Sequence, residues 1–587
     1  MWPIISYPEV SIDSLNEKYD YIVVGGGTAG CVLANRLSAD PSKTVLLLER
    51  GPRADSWASR VPLFSSDVAS DGSPTLKRTS EKQDEIGRPL LLFSGGALGG
   101  TSRVNQAIYT RGLPAEYDRW AAAGRKGLSW EELRPYFLKS ECALSGAVEG
   151  IHSTEGEWKN RTLGGYHFDS FSEAVSAAEV LGLPHIDDIN SPIHPPFGCG
   201  QLHFTIDEKG HRNSAYDAFL PDSLANARKA NLHICTNVLV EKIDVQRLEN
   251  GSCAARGVTL LANAEKNMER RKHVEAHREI VLSVGLFGSP QILMLRLYGV
   301  LRNCSGIGPS EHLKEHGIPV VKDLHAVGLN LQDHFGVSVG FFVPMRDSLL
   351  SLQTQPWRFF MELLRYLIWG TGLLLGPVLQ LAIFMHTGLL DSTGQPTKAE
   401  KEFKEQVPGI EIMPLAYGSI DVEMPRSRGL FSFLNVLLHP RSKGTVRLSS
   451  SDPREPLIVD PQFLSNPADI VPLRASVKLS LRLCDQMRKH GYMMDDWLVP
   501  ESESDEDLDR FIRTHNRTTY HYSSTCRMAP EDDAEGGGVV DDELRVYGVR
   551  GLRVADTSIL LWILGTHLQA PAVMIGEKCA DMILRPS

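Results

Sequence analysis

From Lys18 to Arg50 the chain reads "KYDYIVVGGGTAGCVLANRLSADPSKTVLLLER", a glycine turn between two apolar runs. Residues 19–25 are apolar and β-branched and predict a buried strand, as do residues 44–49. Between them, residues 28–39 carry apolar side chains at helical spacing. A βαβ unit of about 30 residues typically opens a doubly wound sheet, so the stretch predicts an α/β fold with a Rossmann-like domain.

The glycine turn has the spacing of a dinucleotide-binding fingerprint. Gly25 permits the tight turn, Gly27 lets the backbone approach a pyrophosphate, and Gly30 lets helix and strand pack closely. Glu49 ends the second predicted strand, where its carboxylate can accept hydrogen bonds from a ribose diol. An acid at this position speaks against a 2′-phosphate. A nucleotide, a nicotinamide dinucleotide and a flavin dinucleotide are all compatible with this site.

Length and composition narrow the class of protein. The 587 residues exceed a single compact core, which rarely grows beyond about 250–300 residues, and therefore predict two domains. The net charge of -11 disfavours nucleic acid and anionic membranes as partners, because both need concentrated positive charge. Nine cysteines are scattered singly without a CxxC pair, so we expect neither a metal site nor a disulfide framework.

Two segments of the sequence bear on the cellular location of the protein. The start of the chain has no basic n-region and no long apolar core, so we expect no signal peptide and an intracellular, cytoplasmic protein. The region "WRFFMELLRYLIWGTGLLLGPVLQLAIFM", Trp357 to Met385, is long and apolar. Charged residues interrupt its first half and "GTGLLLGP" breaks the helix, so we predict an amphipathic helix and a buried loop rather than a transmembrane segment. A patch that touches a membrane or a hydrophobic substrate is the alternative.

Further segments predict how the chain divides into domains. The stretches "NLHICTNVLVEKIDV", "HREIVLSVGLFGSPQILM" and "LRVYGVRGLRVADTSIL" are strand-rich and look like parts of the first sheet. We therefore predict a discontinuous nucleotide-binding domain of residues 1–140, 231–314 and 535–587. Residues 141–230 and 315–534 then form an interleaved substrate-binding domain with an antiparallel sheet and helices. In it, "FSFLNVLLHPRSKGTVRLSS" predicts two antiparallel strands around a turn.

Two other features point to chemistry. In "SGGALGGTSRVNQAIYTRG", Ser94 to Gly112, two glycine pairs offer bare backbone N–H groups to a second phosphate or a flavin ring, unless the loop is only a flexible linker. His521 and His567 lie in loop-like stretches of the carboxyl-terminal part. Imidazole titrates near neutral pH and can take a hydroxyl proton, so a shared catalytic role competes with a structural or solvated one.

Taken together, the motifs resemble those of the glucose–methanol–choline (GMC) oxidoreductases, which use FAD. The resemblance extends nearly end to end and rests on "YDYIVVGGGTAGCVLANRL", "GGALGGTSRVNQAIYTRG", "GLFGSPQILM" with "SGIGP", "HPRSKGTVRLSSSDPREPLIVDPQFL", "YHYSSTCRMAP" and "LRVADTSILLWILGTHLQAPAVMIGEKCADMIL". The dinucleotide that the resemblance implies is FAD. Residues 94–112 contain no histidine, so we expect this FAD to be bound non-covalently.

The resemblance also implies roles for individual residues. His521 matches the catalytic base of the family, and His567 matches its second active-site position. Val240 would contact adenine through its backbone, and Leu568 would lie close to the flavin ring. The FAD-binding residues that the resemblance implies are Gly25, Gly27, Thr28, Ala29, Gly30, Glu49, Arg50, Asn105, Gln106, Ala107, Ile108, Val240, Ala555, Asp556 and Leu568.

One departure from the family pattern lies beside the predicted nucleotide-binding domain. The segments "GSPQILM" and "SGIGP" are usually almost continuous, but here "LRLYGVLRNC", Leu295 to Cys304, stands between them. It is interpreted either as a tolerated surface insertion or as a mistaken gene model. In both interpretations it is expected to disturb local packing beside the nucleotide-binding domain.

The predicted reaction is the oxidation of an alcohol to an aldehyde or ketone. His521 would remove the hydroxyl proton while a hydride passes to flavin N5, and oxygen or a quinone would then reoxidise the flavin. The apolar stretch 357–385 indicates a hydrophobic substrate, such as an aryl or secondary-metabolite alcohol. A lyase or decarboxylase of the same fold and a non-catalytic flavin-binding protein are the alternatives. The oligomeric state stays open.

Overall fold

In a computed structural model of the chain, the opening glycine turn lies in the predicted βαβ unit: strand Lys18–Val24, helix Thr28–Leu37 and strand Val45–Leu48. The two strands are parallel, with Tyr21 opposite Val45. Their bounds differ from the prediction by one or two residues. The structure describes residues 6–66, 73–193, 195, 197–249, 252–262, 270–295, 306–376, 378–397, 407–418 and 422–585.

This unit belongs to a first sheet of eight strands, called here the nucleotide sheet. In spatial order its main strands are Leu232–Cys235, Val45–Leu48, Lys18–Val24, Arg271–Leu282, Cys253–Ala262 and Val238–Arg247. The first four are parallel, and the last three run antiparallel to one another. Two short strands, Val549–Arg550 and Leu552–Val554, add in parallel from the carboxyl-terminal part. The sheet is therefore assembled from separated pieces of sequence, as predicted.

A second sheet, called here the substrate sheet, also has eight strands. In spatial order these are Asp495–Leu498, Phe335–Val343, Gly429–Leu437, Ile410–Leu415, Leu381–Met385, Gly198–Gln201 and His185–Ile186, with Asn516–Thr518 paired to Phe335–Val343. The pairing is antiparallel except for the edge pair of Gly198–Gln201 and His185–Ile186. Shorter pairs are Thr75–Thr79 with Leu91–Gly95, Ile108–Tyr109 with His203–Phe204, Glu141–Ala143 with Trp158–Asn160, Ile307–Gly308 with Lys322–Asp323, and Thr445–Arg447 with Ile458–Asp460.

Helices cover both sheets. The described α-helices besides Thr28–Leu37 are Trp57–Arg60, Pro62–Ser65, Pro114–Ala122, Trp130–Ser140, Asp169–Val180, Ala215–Phe219, Asp222–Ala227, Gly285–Met294, Ser310–Glu315, Leu350–Thr354, Pro356–Trp369, Ile470–Lys489, Asp505–His515 and Gln569–Leu584. Helix Gln569–Leu584 packs against Thr28–Leu37, and a Cβ at Gly576 would lie only 2.9 Å from Ala29 O. This glycine therefore lets the two backbones come close.

Each large sheet has its own hydrophobic core. Ile22, Val23 and Leu47 are fully buried in the core of the nucleotide sheet. Val337 and Phe431 are fully buried in that of the substrate sheet. Burial of this kind stabilises a fold by about 1.5–3 kcal/mol for each large apolar side chain. The predicted α/β class, with a doubly wound sheet interleaved with an antiparallel one, is confirmed, whereas the domain bounds stay predictions.

One predicted pairing is wrong. Within "FSFLNVLLHPRSKGTVRLSS", strand Gly429–Leu437 belongs to the substrate sheet, whereas Thr445–Arg447 pairs with Ile458–Asp460 in a separate small sheet. The reason is that Gly429–Leu437 is buried throughout and has both of its edges paired, to Phe335–Val343 and Ile410–Leu415. No edge is left for the strand that follows the turn.

Two further predictions are corrected in part. The apolar stretch Trp357 to Met385 begins with the predicted helix, Pro356–Trp369, but ends in strand Leu381–Met385 instead of a loop. None of the described helices is both long enough and apolar enough to cross a membrane. The segment "GLFGSPQILM" forms helix Gly285–Met294 rather than a strand. Of the proposed insertion only Leu295 is described, and residues 296–304 lie outside the described residues.

Candidate active site

A cavity of about 1700 Å³ is lined by residues of both large sheets. The two glycine loops, the hairpin of Thr75–Thr79 and Leu91–Gly95, and the carboxyl-terminal histidines all contribute to its wall. It brings together these predicted site residues: Gly25, Gly27, Thr28, Ala29, Glu49, Arg50, Asn105, Gln106, Ile108, Val240, His521, Asp556, His567 and Leu568. Gly30, Ala107 and Ala555 do not line it.

The first glycine turn is held by close backbone packing. Gly25 has a φ of +97°, and a Cβ there would lie 2.5 Å from Ser283 O. A Cβ at Gly30 would lie 1.9 Å from Gly25 O, so this glycine supports the turn from behind instead of facing the cavity. Gly27 caps helix Thr28–Leu37 without a side-chain hydrogen bond, which leaves the helix N-terminus available to an anion.

Glu49 stands at the end of strand Val45–Leu48 and ties two turns together. One carboxylate oxygen accepts from the backbone N of Gly26 at 2.9 Å, and the other accepts from Gly51 N at 2.8 Å. Burial raises the pKa of this carboxyl, against the opposing effect of those two amides. The side chain also lines the cavity, and each of its oxygens keeps a lone pair that can accept a further hydrogen bond.

The second glycine loop packs backbone to backbone on the first. A Cβ at Gly100 would lie 2.7 Å from Gly27 Cα, so both loops need the absence of a side chain at this contact. Farther along, Asn105 Oδ1 accepts from Ala107 N at 3.0 Å, and this bond accompanies a positive φ of 57° at Ala107. Ala107 thus shapes the turn that presents Asn105, Gln106 and Ile108 to the cavity.

The carboxyl-terminal strand Leu552–Val554 delivers the next group of predicted residues. Asp556 Oδ2 accepts from Ser289 Oγ at 2.6 Å and from Gly285 N at 3.0 Å, which fixes the carboxylate at the N-terminus of helix Gly285–Met294. Ala555 O accepts from Ser283 Oγ at 2.8 Å and lies behind the wall. Ala555 therefore serves to hold the strand end, while Asp556 faces the cavity.

The two predicted histidines meet at the cavity. The ring centroids of His521 and His567 are 4.7 Å apart, and the ring planes are at 82°. Burial lowers the pKa of His521 well below its usual value, and the charges of His567 and of His334 add to this effect. His521 is therefore a neutral imidazole at neutral pH, which is the form that accepts a proton.

Sequence reasoning missed the residues that orient these histidines. His334 Nδ1 lies 3.0 Å from His521 Nδ1, and Asp333 Oδ1 accepts from His521 N at 2.7 Å. With Nδ1 engaged, Nε2 of His521 is the nitrogen left for a substrate. Burial raises the pKa of the Asp333 carboxyl to about 8. The only sequence signal was a run of polar residues, "NLQDH", before an apolar strand.

His567 has its own missed partners. Its Nε2 lies 3.1 Å from Glu411 Oε1, an acid that is 1% exposed within the buried strand Ile410–Leu415. The backbone N of His567 donates to Thr110 Oγ1 at 3.2 Å. Glu116, whose pKa burial raises to about 7, accepts from Gly565 N. A lone acid in an apolar strand was the available signal for Glu411.

The lining also fits FAD as a cofactor. Its pyrophosphate needs donors at a helix N-terminus, which Gly27 and Thr28 provide. Gln106 lines the cavity, and its Oε1 is buried with no hydrogen-bond partner among the described residues. A buried polar atom of this kind needs a partner, and a polar ring edge would supply one. The residues present therefore match the group that the sequence motifs imply.

Apolar side chains form much of the cavity wall. Side chains from the substrate sheet and from neighbouring helices line it: Leu63, Phe64, Leu349, Leu352, Phe359, Val378, Leu379, Met413, Leu415, Met424 and Leu434. Phe64 and Phe359 stack with ring centroids 6.2 Å apart. We call this lining the apolar chamber. It favours an apolar ligand over a sugar or a charged one, because it offers few hydrogen-bond partners to replace the water that polar groups lose on binding.

Comparisons with known proteins agree with this geometry. Two GMC oxidoreductase family models match residues 19–336 and 440–576. The chain is 31% identical to a chloroplastic fatty acid photodecarboxylase of Chlamydomonas reinhardtii, over 97% of this chain and 91% of that one. It is also 31% identical to an alcohol dehydrogenase (acceptor) of Pseudomonas putida, over 97% and 96%. A fungal aryl-alcohol oxidase structure superposes with a TM-score of 0.80 and 25% identity, over 97% and 99%. The chain therefore belongs to the GMC oxidoreductase family and is an FAD-dependent oxidoreductase.

Proposed function

We propose that this enzyme oxidises a hydrophobic primary or secondary alcohol to an aldehyde or ketone, with His521 as the general base. The observation that carries the proposal is the pair of imidazoles, with ring centroids 4.7 Å apart, in a cavity that the glycine loops and the apolar side chains also line. His521 Nε2 takes the hydroxyl proton. A general base of this kind typically contributes about 10²–10⁴-fold to the rate.

His567 has the second role in the proposal. It donates a hydrogen bond to the substrate oxygen and stabilises the negative charge that develops there as the proton leaves. The buried carboxyl group of Glu411, 3.1 Å from His567 Nε2, keeps the ring in place. A preorganised donor at such a place is worth about 10²–10³-fold in rate.

The cofactor of the proposal is FAD, held non-covalently by the two glycine loops, Glu49 and Asp556. When bound, FAD supplies the hydride acceptor at its N5. Residues 94–112 contain no histidine that could form a covalent link from that loop. Release of the flavin on denaturation, with none left on the precipitated chain, is the expected result. The final electron acceptor of the proposal is oxygen or a quinone.

We further place the enzyme inside the cell. The eight cysteines that belong to the described residues are all free, and seven of them are buried. Free thiols are typical of reducing compartments. Some relatives carry chloroplastic or mitochondrial names, so the cytoplasm is one of several candidate compartments. Fractionation of cells that express the tagged chain tests this part of the proposal.

The proposed reaction is tested by mixing the yellow holoprotein anaerobically with aryl, long-chain and short-chain alcohols. Loss of the visible flavin absorbance with the apolar alcohols, and an aldehyde or ketone as the product, are expected. The photodecarboxylase likeness supplies a second candidate, the decarboxylation of a fatty acid in light. Flavin that stays oxidised with every alcohol, together with hydrocarbon released from a fatty acid in light, would favour this candidate. Inertness in both assays would leave a non-catalytic flavin-binding protein.

The rate of flavin reduction should not change across neutral pH. His521 must be neutral to accept a proton, and burial with two neighbouring histidines lowers its pKa well below 6.5. The rate should therefore stay level as the pH falls through 6.5 and decline only at clearly lower pH. Stopped-flow reduction under anaerobic conditions measures this profile. A midpoint at 6.5 would contradict the buried base, and a midpoint near 8 would implicate Asp333 instead.

Replacing Glu411 by glutamine should lower kcat about tenfold and leave KM for the alcohol nearly unchanged. The amide replaces the carboxyl partner of His567 by a neutral group that holds the ring less firmly, and a hydrogen bond to a charged group is worth about 1.5–3 kcal/mol. Glu131→Gln, at an exposed position in the first turn of Trp130–Ser140, is the matched control. A raised KM with unchanged kcat would mean that Glu411 only shapes the pocket.

A further inference from the structure

The helix Pro356–Trp369 exposes an apolar face to solvent. Of the sixteen large hydrophobic side chains that are exposed among the described residues, six lie on this one helix of 14 residues. They are Trp357, Phe360, Met361, Leu367, Ile368 and Trp369. Trp357 and Trp369, near the two ends, are 71% and 68% exposed. An exposed apolar patch of this kind normally marks a binding surface.

The spacing of the apolar side chains places most of them along one face of the helix, called here the stripe. Trp357, Phe360, Met361, Leu364 and Ile368 follow the i, i+3, i+4, i+7, i+11 pattern of one helix face. The opposite face already has its partners. Tyr366 is buried and donates to Gly210 O, and Phe359 lines the cavity. One face of the helix therefore packs against the rest of the protein, and the second apolar face is exposed to solvent.

Charges beside the stripe are positive, although the chain as a whole carries -11. Arg365 is 55% exposed in its side chain, and Arg358 donates to Arg346 O, whose own side chain is 70% exposed. The single acid of the helix, Glu362, is largely buried: its Oε2 accepts from Leu373 N at 2.8 Å, and its Oε1 lies 3.9 Å from Arg365 Nη1. A cationic rim around an apolar stripe with tryptophans near both ends is the pattern of a helix that lies in a lipid–water interface.

A smaller cavity of about 280 Å³ adjoins the carboxyl end of the helix. Trp57 and Trp369 line it together with Lys209 and His211, while Glu208 at its edge is paired with Lys159 at 2.7 Å. Trp57 is itself 47% exposed, so the apolar surface continues beyond the helix. Lys209 and the tryptophans of this cavity extend the same pattern to a second segment of the chain.

We propose that helix Pro356–Trp369 is a docking surface for an anionic lipid bilayer, with the stripe inserted among the acyl chains and Arg358 and Arg365 at the headgroups. A second copy of the chain is a poorer occupant. Two such faces packed on each other would bring arginines together, and Glu362, which already lies 3.9 Å from Arg365, is the single acid that each helix has to set against them. Anionic headgroups supply the opposite charge to every exposed cation of the stripe.

Docking in this way would put the cavity next to the membrane. Phe359 of the same helix lines the apolar chamber and stacks on Phe64, so only the thickness of the helix separates the chamber from the bilayer. An apolar alcohol dissolved in the membrane would then reach the site without crossing bulk water. This consequence rests on the proposed function, whereas the binding of lipid does not depend on it.

The test is co-sedimentation of the holoprotein with vesicles of phosphatidylcholine alone and of phosphatidylcholine mixed with phosphatidylserine. Wild type is expected to sediment with the mixed vesicles and to bind the neutral ones at least about tenfold more weakly. Combining Phe360→Ser with Ile368→Ser should weaken binding roughly 100-fold. Combining Arg358→Gln with Arg365→Gln should weaken it roughly tenfold or more and make it insensitive to salt.

The matched control is Val180→Ser with Val471→Ser, two valines that are exposed on other helices, and it should bind like wild type. Flavin absorbance and turnover of a water-soluble alcohol, both measured without vesicles, should be the same in all variants, which separates lipid docking from the proposed reaction. Wild type that stays in the supernatant with both vesicle types would overturn the proposal. So would equal loss of binding in the control, or a dimer in solution that the Phe360→Ser, Ile368→Ser variant converts to monomers.

Discussion

Replacing His521 by alanine is expected to slow flavin reduction by an alcohol about 10²–10⁴-fold, while the protein stays yellow. The reason is that His521 lines the cavity and its Nδ1 lies 3.0 Å from His334 Nδ1, which leaves Nε2 for the proposed role of base. The glycine loops, which we propose hold FAD, are other segments of the wall, so binding of the cofactor should not change. Anaerobic stopped-flow absorbance measures the rate, and denaturation followed by absorbance measures the FAD content.

Two controls accompany this variant. His277→Ala removes an exposed histidine on strand Arg271–Leu282 and should reduce its flavin at the wild-type rate. Imidazole added to the His521→Ala protein should restore part of the lost rate, because the removed ring leaves space of its own size. Reduction of the variant at the wild-type rate would show that another group takes the proton.

Replacing Gly30 by alanine is expected to abolish FAD binding or the folding of the nucleotide sheet. The new Cβ would lie 1.9 Å from Gly25 O, a backbone atom that cannot move without opening the turn. We expect a loss of about 3 kcal/mol or more in the free energy of unfolding, at the upper end of overpacking effects. The FAD content per chain and the melting temperature of the purified protein measure the outcome.

The matched control for this substitution is Gly165→Ala. A Cβ at Gly165 would meet nothing within 4 Å, so the same change in backbone entropy occurs there without a clash. This variant should keep its FAD and its melting temperature. Wild-type stability and full FAD content in the Gly30→Ala protein would mean that the turn is looser than its packing indicates.

Local patterns allowed a good part of this fold to be predicted. The βαβ unit from Lys18 to Arg50 is local in sequence, and its alternation of apolar runs and glycines has few other solutions. His521 and His567 were also predicted as site residues, because they lie in loop motifs that the family resemblance covers. The structure then gathers them at one cavity, although their roles stay proposals.

Contacts between distant residues could not be predicted in this way. Glu411 lies 156 positions before His567, and His334 lies 187 before His521, so neither pair leaves a local pattern. The wrong pairing of strand Gly429–Leu437 has the same origin. Proximity in sequence favoured a hairpin, but the strand's own partners, Phe335–Val343 and Ile410–Leu415, are set by tertiary packing.

The assembly of the nucleotide sheet from separated segments has a consequence for biosynthesis. Arg36, in the first helix, and Glu577, in helix Gln569–Leu584, are 541 positions apart and yet joined by a hydrogen bond of 2.6 Å. Strand Leu552–Val554 likewise completes a sheet begun at Lys18. A nascent chain therefore has no complete flavin site until nearly all of it has left the ribosome, so we expect cofactor loading to follow translation. A chain truncated before Val549 should contain no flavin.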